Sequence, residues 1–251
     1  MARERAQTTL TACAQCRLGQ LPGLNTQSDE RARLIQQFKR GEFELDRGAR
    51  MFEEGKPHPG FYTILAGALL RYRNAPDGGR QIVNVMFPGD IAGLQGLRGQ
   101  PFQHVVEAIL PVRLCRFDRR DLDGLIAADA HLGHDMIWIA AKEESALESH
   151  LVTLGRRRAS MRIAYLACFL LDRSYETGLS AGPTDTPLPV TQAQIADMLG
   201  LSHVHANRSL QKLRAEGLVE WDQRHIATHD LEALRAFAGY ERPYLSPRPY
   251  V

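Results

Sequence analysis

The stretch TQAQIADMLGLSHVHANRSLQKLRAEGLV, residues 191–219, predicts two helices joined by a tight turn. Thr191 and Gln194 have the spacing of a capping box, in which each side chain satisfies a backbone N–H that otherwise has no partner. Gly200 permits the sharp turn, and Ser202 is placed to cap the second helix. Short helices around a glycine turn are typical of a helix-turn-helix, whose second helix enters the major groove of DNA.

The second predicted helix has an apolar side and a polar side. Ala206, Leu210 and Leu213 recur at helical spacing, so we expect them in the core. On the polar side, Arg208 can make a bidentate contact to guanine, and Asn207 can read adenine or hold a phosphate. The residues that we expect to contact DNA are Ser202, His203, Val204, His205, Asn207, Arg208, Ser209 and Lys212.

The flanking segments fit the same interpretation. LVEWDQRHIAT, residues 218–228, has two short apolar runs around a polar turn, as a wing hairpin requires, and Asp230 can cap a last helix. Upstream we expect a helix over residues 158–173 and a polar loop over residues 176–189, while three prolines prevent residues 241–251 from continuing a helix. A helical hairpin with no nucleic-acid role is the alternative, but it leaves the polar outer face and the following hairpin unexplained.

Residues 41–116 consist of short apolar runs that glycines interrupt. The runs FYTILAG, ALLRYRN and QIVNVMF are rich in aromatic and branched side chains, and APDGGR is typical of a hairpin turn. Many short strands at this spacing predict an antiparallel jelly-roll barrel. The predicted class is therefore α+β, with the barrel in residues 1–128, a long dimerisation helix in residues 129–155 and a winged helix-turn-helix in residues 156–251.

The long helix carries a stripe suited to a two-fold seam. Its members are mostly apolar, include one glutamate, and recur at intervals of three and four residues. We expect the stripe to pair with the same helix of a second copy, and the alternative is that the helix packs on its own barrel. The stripe consists of Ile137, Ala140, Glu144, Leu147, Leu151 and Leu154. Gly155, which precedes three arginines, is the expected hinge.

Composition argues against several classes of protein. The chain has 251 residues, of which 44% are hydrophobic and 24% charged, with a formal net charge of +2, as in an ordinary globular protein. It has no apolar stretch near the roughly 20 residues that span a bilayer, and its first residues lack the apolar run of a signal peptide. We therefore expect a cytoplasmic protein without a membrane partner.

A metal-dependent jelly-roll enzyme is the rival class, but the predicted strands carry no H-x-H ligand pattern, so we expect no enzyme.

Together these motifs resemble the Crp/Fnr family of transcription regulators. Residues 48–97, from GARMFEEGK to DIAGLQGL, are similar to the family's cyclic-nucleotide-binding-type barrel. The helix after Asp129 resembles its dimer helix, and residues 191–219 resemble its winged helix-turn-helix. The resemblance implies a homodimer that binds a two-fold operator on double-stranded DNA. It also implies RNA polymerase as a partner.

The barrel departs from the pattern of the family members that bind cyclic nucleotides. Those members place a glutamate and an arginine in the phosphate-binding turn. The corresponding residues of this chain are Leu94 and Gln103, with His104 at a neighbouring serine position. Cyclic AMP is therefore not expected as a cofactor, because glutamine supplies hydrogen bonds without the charge that clamps a phosphate.

The second helix of the helix-turn-helix departs as well. Arg208 keeps the family's arginine, whereas Val204 replaces the usual glutamate and Asn207 the usual serine. Valine cannot accept a hydrogen bond from cytosine, although it can contact a thymine methyl group. We therefore expect a two-fold operator that differs from the family's usual half-site at one or two base pairs.

The sequence is compatible with several signals that could control the protein. Cys13 and Cys16 form a CxxC, and Cys115 resembles the further cysteine of the family's oxygen-sensing branch, which holds a [4Fe–4S] cluster. Pro22 stands where that branch has another cysteine. The alternatives are an iron–sulfur cluster at these three thiols, a metal-free or redox-responsive thiol pair, an unknown small molecule in the barrel, and regulation without a ligand. Cys168 is expected in the core. Haem is a further alternative, for which the available ligands are His58, His104, His131 and His134.

Overall fold

Two antiparallel sheets form the N-terminal barrel of the structure, a computed structural model that describes the backbone of residues 5–6 and all of residues 11–242 and 247–251. One sheet has the strand order β1-β2-β9-β4-β7 and the other the order β3-β8-β5-β6. The strands are β1 (Arg5–Ala6), β2 (Lys39–Leu45), β3 (Arg50–Phe52), β4 (Gly60–Ala66), β5 (Leu69–Asn74), β6 (Arg80–Met86), β7 (Ile91–Ala92), β8 (Val105–Ala108) and β9 (Val112–Asp118). The predicted barrel is confirmed.

Apolar side chains from both sheets fill the interior of the barrel, and glycine turns connect the strands. The buried interior residues include Leu45, Phe52, Ile64, Leu69, Val106 and Leu114. The predicted hairpin between β5 and β6 is present, with a hydrogen bond of 2.8 Å from the Ala75 N–H to the Gly79 carbonyl oxygen. Gly67, between β4 and β5, has φ +85°, and a Cβ there would lie 2.1 Å from the Pro111 carbonyl oxygen. Only glycine fits that turn.

Two short helices and one long helix pack against the barrel. They are α1 (Asp29–Phe38), α2 (Leu122–Ala128) and α3 (Ala130–Arg156). The sequence interpretation missed α1, although Ser28 caps it by accepting a hydrogen bond from the Arg31 N–H. In α3, Leu132, Met136 and Ile139 are buried against the barrel.

The opposite side of α3 carries the predicted stripe. Ile137, Ala140, Glu144, Leu147 and Leu151 are all exposed in the single chain. One face of α3 thus packs on the barrel, as the alternative interpretation expects, and the opposite face is apolar and uncovered in the single chain. The pairing with a second copy stays a prediction. Leu154 differs from the rest of the stripe, since it is half-buried against the C-terminal core.

The predicted hinge at Gly155 is wrong by two residues. Helix α3 continues through Gly155 to Arg156, and the backbone becomes extended only at Arg157, with φ −100° and ψ 145°. The Arg157 side chain fixes this connection, because its guanidinium donates to the Ala238 carbonyl oxygen at 3.0 Å and to the Thr153 hydroxyl at 2.7 Å. Glycine permits a break but does not require one.

The C-terminal part is a helical domain with a small sheet. Its helices are α4 (Ala159–Glu176), α5 (Gln192–Leu199), α6 (His203–Ala215) and α7 (Leu231–Ala238), and its strands are β10 (Asp185–Thr186), β11 (Glu220–Trp221) and β12 (Ile226–Ala227). The sheet has the order β10-β12-β11, so the expected wing hairpin has a third strand that comes from the loop predicted at residues 176–189. Ile163, Leu170, Ile195, Leu210 and Trp221 share one core. In the part of the chain that the structure describes, no helix is long and apolar enough to cross a membrane.

Candidate nucleic-acid interface

The turn between α5 and α6 has the predicted geometry. Gln194 accepts a hydrogen bond of 2.8 Å from the Thr191 N–H, and Thr191 accepts one of 3.2 Å from the Gln194 N–H, so the capping box is confirmed. Gly200 ends α5 in the left-handed region, with φ 59° and ψ 40°. Ser202 caps α6 by accepting a hydrogen bond of 3.3 Å from the His205 N–H. These local interactions set the angle between α5 and α6.

Helix α6 buries one side and leaves the other open. Ala206, Leu210 and Leu213 are buried, as predicted. Ser209 is buried with them, with 8% of its surface exposed, because it lies one turn from both Ala206 and Leu213. The expectation that Ser209 contacts DNA is therefore wrong.

The open side of α6 carries most of the residues predicted to contact DNA. Val204 is 70% exposed, which is unusual for a large apolar side chain. Asn207 is half-buried at the edge of the open side. The exposed residues on this side are Ser202, His203, Val204, His205, Arg208, Gln211 and Lys212. The sequence interpretation left Gln211 out of the contact set, although its helical spacing from Arg208 indicates the same face.

The charges of α6 suit an anionic partner. Its first turn contains no acidic residue, so the positive end of the helix dipole is not neutralised there. Lys212 lies 3.7 Å from Glu216, an exposed and therefore weak ion pair. Within residues 11–242 and 247–251, the Arg208 guanidinium has no carboxylate within ion-pair distance. Arg208 is thus available to a nucleic acid without first breaking a salt bridge.

The wing is anchored by a buried tryptophan. Trp221 on β11 donates a hydrogen bond of 3.0 Å from its indole N–H to the Val190 carbonyl oxygen, just before α5. At the tip of the hairpin, the Asp222 N–H donates to the His225 carbonyl oxygen at 3.0 Å, which leaves Arg224 exposed. Sequence reasoning did not single out Arg224, although a cation in a wing turn is a signal for phosphate contact.

The helix-turn-helix also contacts the barrel. Arg80 on β6 forms an ion pair of 2.8 Å with Asp197 on α5. The Gln81 amide donates to the Met198 carbonyl oxygen at 2.9 Å, and the His150 ring lies 3.0 Å from the same oxygen. Burial lowers the pKa of His150, so its ring is neutral at pH 7. In this arrangement α5 is fixed to both the barrel and α3.

The turn that corresponds to the family's phosphate-binding turn holds no cationic clamp. Leu94 is half-buried among apolar side chains, and Gln103 is exposed. His104 is buried, and burial lowers its pKa to about 4, with Arg71 as the next cause, so the ring is neutral at pH 7. The Phe102 ring stacks on the Phe52 ring at 4.3 Å, which fills this end of the barrel with aromatic groups.

The structure brings three of the four cysteines together. Cys13, Cys16 and Cys115 line one cavity of about 30 Å³, to which Tyr250 and Val251 also contribute. Burial raises the pKa of all three thiols. The fourth cysteine is buried in the C-terminal core as expected, and burial raises its pKa to about 12.

Three thiols line this cavity, one fewer than the four that hold a [4Fe–4S] cluster. In the part of the chain that is described, no three histidine, cysteine or carboxylate side chains are placed to hold a metal ion. A space of about 30 Å³ holds about one water molecule. Of the histidines considered for haem, His131 and His134 are exposed on α3 with their rings 6.0 Å apart. In the barrel, His58 packs on the Phe52 ring at 5.1 Å and His104 on the Phe102 ring at 5.2 Å.

Comparisons with known proteins match both halves of the chain. Residues 165–237 match the Crp-like helix-turn-helix domain, and residues 42–129 match the cyclic nucleotide-binding domain. The nitrogen fixation regulation protein FixK of Bradyrhizobium diazoefficiens is 34% identical over 76% of this chain and 79% of its own length. The transcriptional activator protein FnrL of Cereibacter sphaeroides is 27% identical over 70% of this chain and 72% of its own.

A solved structure agrees with these relatives. FixK2 from Bradyrhizobium japonicum superimposes with a TM-score of 0.69 and 26% identity, over 80% of this chain and 98% of its own. Barrel, long helix and helix-turn-helix thus occur together in proteins similar to this one. The chain belongs to the Crp/Fnr family of DNA-binding transcription regulators.

Proposed function

We propose that this regulator binds a two-fold operator as a homodimer, and that α6 reads each half-site. The observation that carries the proposal is the open face of α6, where the exposed Arg208 lies one turn from the exposed Val204. Among the residues that the structure describes, Arg208 has no ion-pair partner. A helix that presents such side chains beside a wing matches the geometry of a reader of the major groove.

The proposed contacts divide into base readers and phosphate binders. Arg208 reads a guanine, Val204 contacts a thymine methyl group, and Asn207 reads an adjacent base or holds a phosphate. The residues proposed to hold phosphates are Ser202, His203, His205 and Lys212, to which the structure adds Gln211 and Arg224.

The exposed stripe of α3 supports the homodimer. Ile137 and Leu151 are 68% and 69% exposed in the single chain, and Leu147 is 36% exposed. A row of large apolar side chains left in water is characteristic of an interface, and the same stripe on two antiparallel or parallel copies is self-complementary under two-fold symmetry. The proposed interface consists of Ile137, Ala140, Glu144, Leu147 and Leu151, with Leu154 at its margin.

The operator and its reading can be tested together. Selection of binding sites from random duplexes should enrich a two-fold sequence, whose affinity is then measured by fluorescence anisotropy at several salt concentrations. Arg208→Ala should weaken binding by about 1–3 kcal/mol and relax the preference at one base pair of each half-site. Arg47→Ala, which removes an exposed arginine from the barrel, is the matched control and should leave affinity unchanged. An unselective or salt-independent interaction would contradict the proposal.

A substitution at Val204 tests which residue sets the base preference. Val204→Glu restores an acceptor for the exocyclic amino group of cytosine. The selected half-site should therefore change at one position toward cytosine, while the position read by Arg208 stays the same. If the selected site does not change, Val204 does not face a base.

We also propose that cyclic AMP is not the effector. Leu94 and Gln103 offer no charge to a cyclic phosphate, and His104 beside them is buried and neutral. Calorimetry with cyclic AMP should show no tight binding, and an affinity in the micromolar range or better would contradict this part of the proposal.

We further propose that the protein activates transcription through RNA polymerase. The support is the similarity to the transcriptional activator protein FnrL, which is 27% identical over 70% of this chain. Transcription with purified RNA polymerase, from a promoter carrying the selected operator, should increase when the protein is added. A decrease at every operator position would instead indicate a repressor.

A further inference from the structure

Residues 247–251, which we call the strap, lie against the N-terminal segment that contains the cysteines. The Arg248 N–H donates a hydrogen bond of 2.8 Å to the Gly23 carbonyl oxygen, and the Asn25 N–H donates one of 2.8 Å to the Arg248 carbonyl oxygen. These two bonds form a parallel bridge between Leu24 and Arg248. The strap follows the DNA-binding domain in the chain, yet it packs against the N-terminal segment that precedes the barrel.

The strap forms part of the wall of the thiol cavity. Tyr250 and Val251 are only 5% and 4% exposed. The Tyr250 ring packs in a cluster with Leu18, Leu24 and the partly buried Cys16. The Gln27 amide donates a hydrogen bond of 2.7 Å to the Tyr250 carbonyl oxygen. Two buried side chains of the strap thus cover the thiols.

The strap is also connected to the DNA-binding domain through one carboxylate, that of Asp90, which is 14% exposed. Arg248 lies 2.8 Å from the Asp90 carboxylate, which follows β6 in the FPGD turn. The same carboxylate oxygen is 2.8 Å from Arg173 on α4, the first helix of the DNA-binding domain. Two guanidiniums therefore share one oxygen of Asp90. Because the two ion pairs have this oxygen in common, the loss of one alters the other.

Main-chain contacts run along the same path. The Gly23 N–H, beside the strap, donates a hydrogen bond of 2.8 Å to the carbonyl oxygen of Glu176, the last residue of α4. The Glu176 carboxylate also lies 2.9 Å from Arg242. The cysteine segment, the strap and α4 are therefore in direct contact.

Of the segments that surround the thiol cavity, the strap is the one that can open most easily. With about 30 Å³ it holds about one water molecule, so a group bound to the thiols needs more room. Cys115 lies on β9, which is paired with β2 and β4 on its two sides. Among the described residues, the main chain of the strap forms two hydrogen bonds with other main-chain atoms and accepts two more, from the Gln27 amide and the Thr63 hydroxyl, whereas β9 is paired along its whole length. A segment with so few bonds opens at a lower free energy than a central strand.

We propose that the strap couples the thiol cavity to the DNA-binding domain. A group that binds Cys13 or Cys16 displaces Tyr250 and unseats the strap. Unseating the strap withdraws Arg248 from Asp90 and alters the anchorage of α4, so the orientation of the helix-turn-helix and its DNA affinity change. The DNA part of this proposal rests on the proposed function, whereas the part that concerns the thiols does not.

The first test is the accessibility of the thiols. The rate at which 5,5′-dithiobis(2-nitrobenzoic acid) modifies each cysteine is measured, with mass spectrometry to assign the sites. Arg248→Gln, and a chain that ends at residue 246, should each increase the rates at Cys13 and Cys16 by about tenfold or more, because uncovering the thiols both exposes them and lowers their pKa. Arg120→Gln removes an 84% exposed guanidinium elsewhere on the barrel and is the matched control.

Cys168, buried in the C-terminal core, serves as the internal reference. Its rate should stay the same in all variants, and an equal acceleration at Cys168 would overturn the proposal, because it would mean general loosening. Unchanged rates at Cys13 and Cys16 in both strap variants would also overturn it.

The second test measures coupling to DNA. Methyl methanethiosulfonate, a small thiol reagent, is added to the full chain, and affinity for the selected operator should change by about fivefold or more, the range typical of coupled sites. The chain that ends at residue 246 should already have the changed affinity and should not respond further. Equal affinities in all states would overturn the coupling. If no form of the chain binds DNA, the proposed function fails, while the thiol rates still decide whether the strap covers the cavity.

Discussion

The seam on α3 gives the prediction that the structure determines most directly. Ile137 and Leu151 lie 14 residues apart on the same stripe, and both are exposed in the single chain. Replacing both by alanine removes apolar surface from the proposed interface. It disturbs little else, because neither side chain is packed in the protomer. The fold of the protomer should therefore survive the double substitution.

The magnitude follows from the exposed fractions. Burying a large aliphatic side chain completely contributes about 1.5–3 kcal/mol. Because 68% of Ile137 and 69% of Leu151 remain to be buried, each side chain contributes about 1–2 kcal/mol to association. A two-fold seam contains both residues from each protomer, so the four side chains together contribute about 4–8 kcal/mol. Since alanine retains part of this area, we expect a loss of at least about 3 kcal/mol, or roughly a 100-fold increase in Kd.

Analytical ultracentrifugation over a range of protein concentrations measures this Kd. Val152→Ala is the matched control, because Val152 is 55% exposed on the same helix but lies off the stripe. The control should dimerise like the wild-type chain, and thermal unfolding should show that all variants fold.

Two results would refute the reasoning. One is a Kd of the double variant within twofold of the wild-type value, which would mean that the stripe does not form the seam. The other is a Val152→Ala variant as defective as the double variant, since the seam would then lie on another side of α3.

Two further predictions concern stability. The unfolded chain protonates His104 below its ordinary pKa of 6.5 and the folded chain only below about 4, so stability should fall as pH falls through that window, by about 3 kcal/mol in total. His104→Gln should remove this part of the pH dependence of the urea-unfolding free energy, and an unchanged slope would show that the ring is not buried in its neutral form. Trp221→Ala should cost about 3–5 kcal/mol by the same measurement, because it empties the core beside the wing and leaves the Val190 carbonyl oxygen without its donor. A loss below about 1 kcal/mol would mean that the wing is not anchored there.

The elements of the helix-turn-helix could be predicted because their signals are local. Thr191 and Gln194 satisfy each other's backbone across three residues, and Gly200 adopts the left-handed conformation that the turn requires. The wing, the barrel hairpin and the cap of α7 by Asp230 follow from turns and caps of the same short range. The error at Gly155 came from a signal that is only permissive, since glycine allows a helix to end without forcing it.

Other features of the site depend on how helices are oriented in the fold. The apolar periodicity of α3 predicts a stripe, but only packing shows that a second face, with Leu132 and Met136, contacts the barrel. Ser209 was assigned to the DNA face by its residue type, whereas its place on α6 is set by the core that Ala206 and Leu213 enter. Polarity is a weak guide for a small side chain, because a serine hydroxyl within a helix can bond to the carbonyl oxygen one turn earlier.

The sequence by itself therefore determined the family, the order of the parts and the reading helix, since each is encoded by contacts between residues a few places apart. Tertiary structure alone decided what surrounds the cysteines. Cys13 and Cys115 are about 100 residues apart, and the register of β9 brings them to one cavity. Arg248 meets Asp90 across a separation that no local pattern can encode. Such long-range pairs form only when whole elements pack, so their partners cannot be read from spacing along the chain.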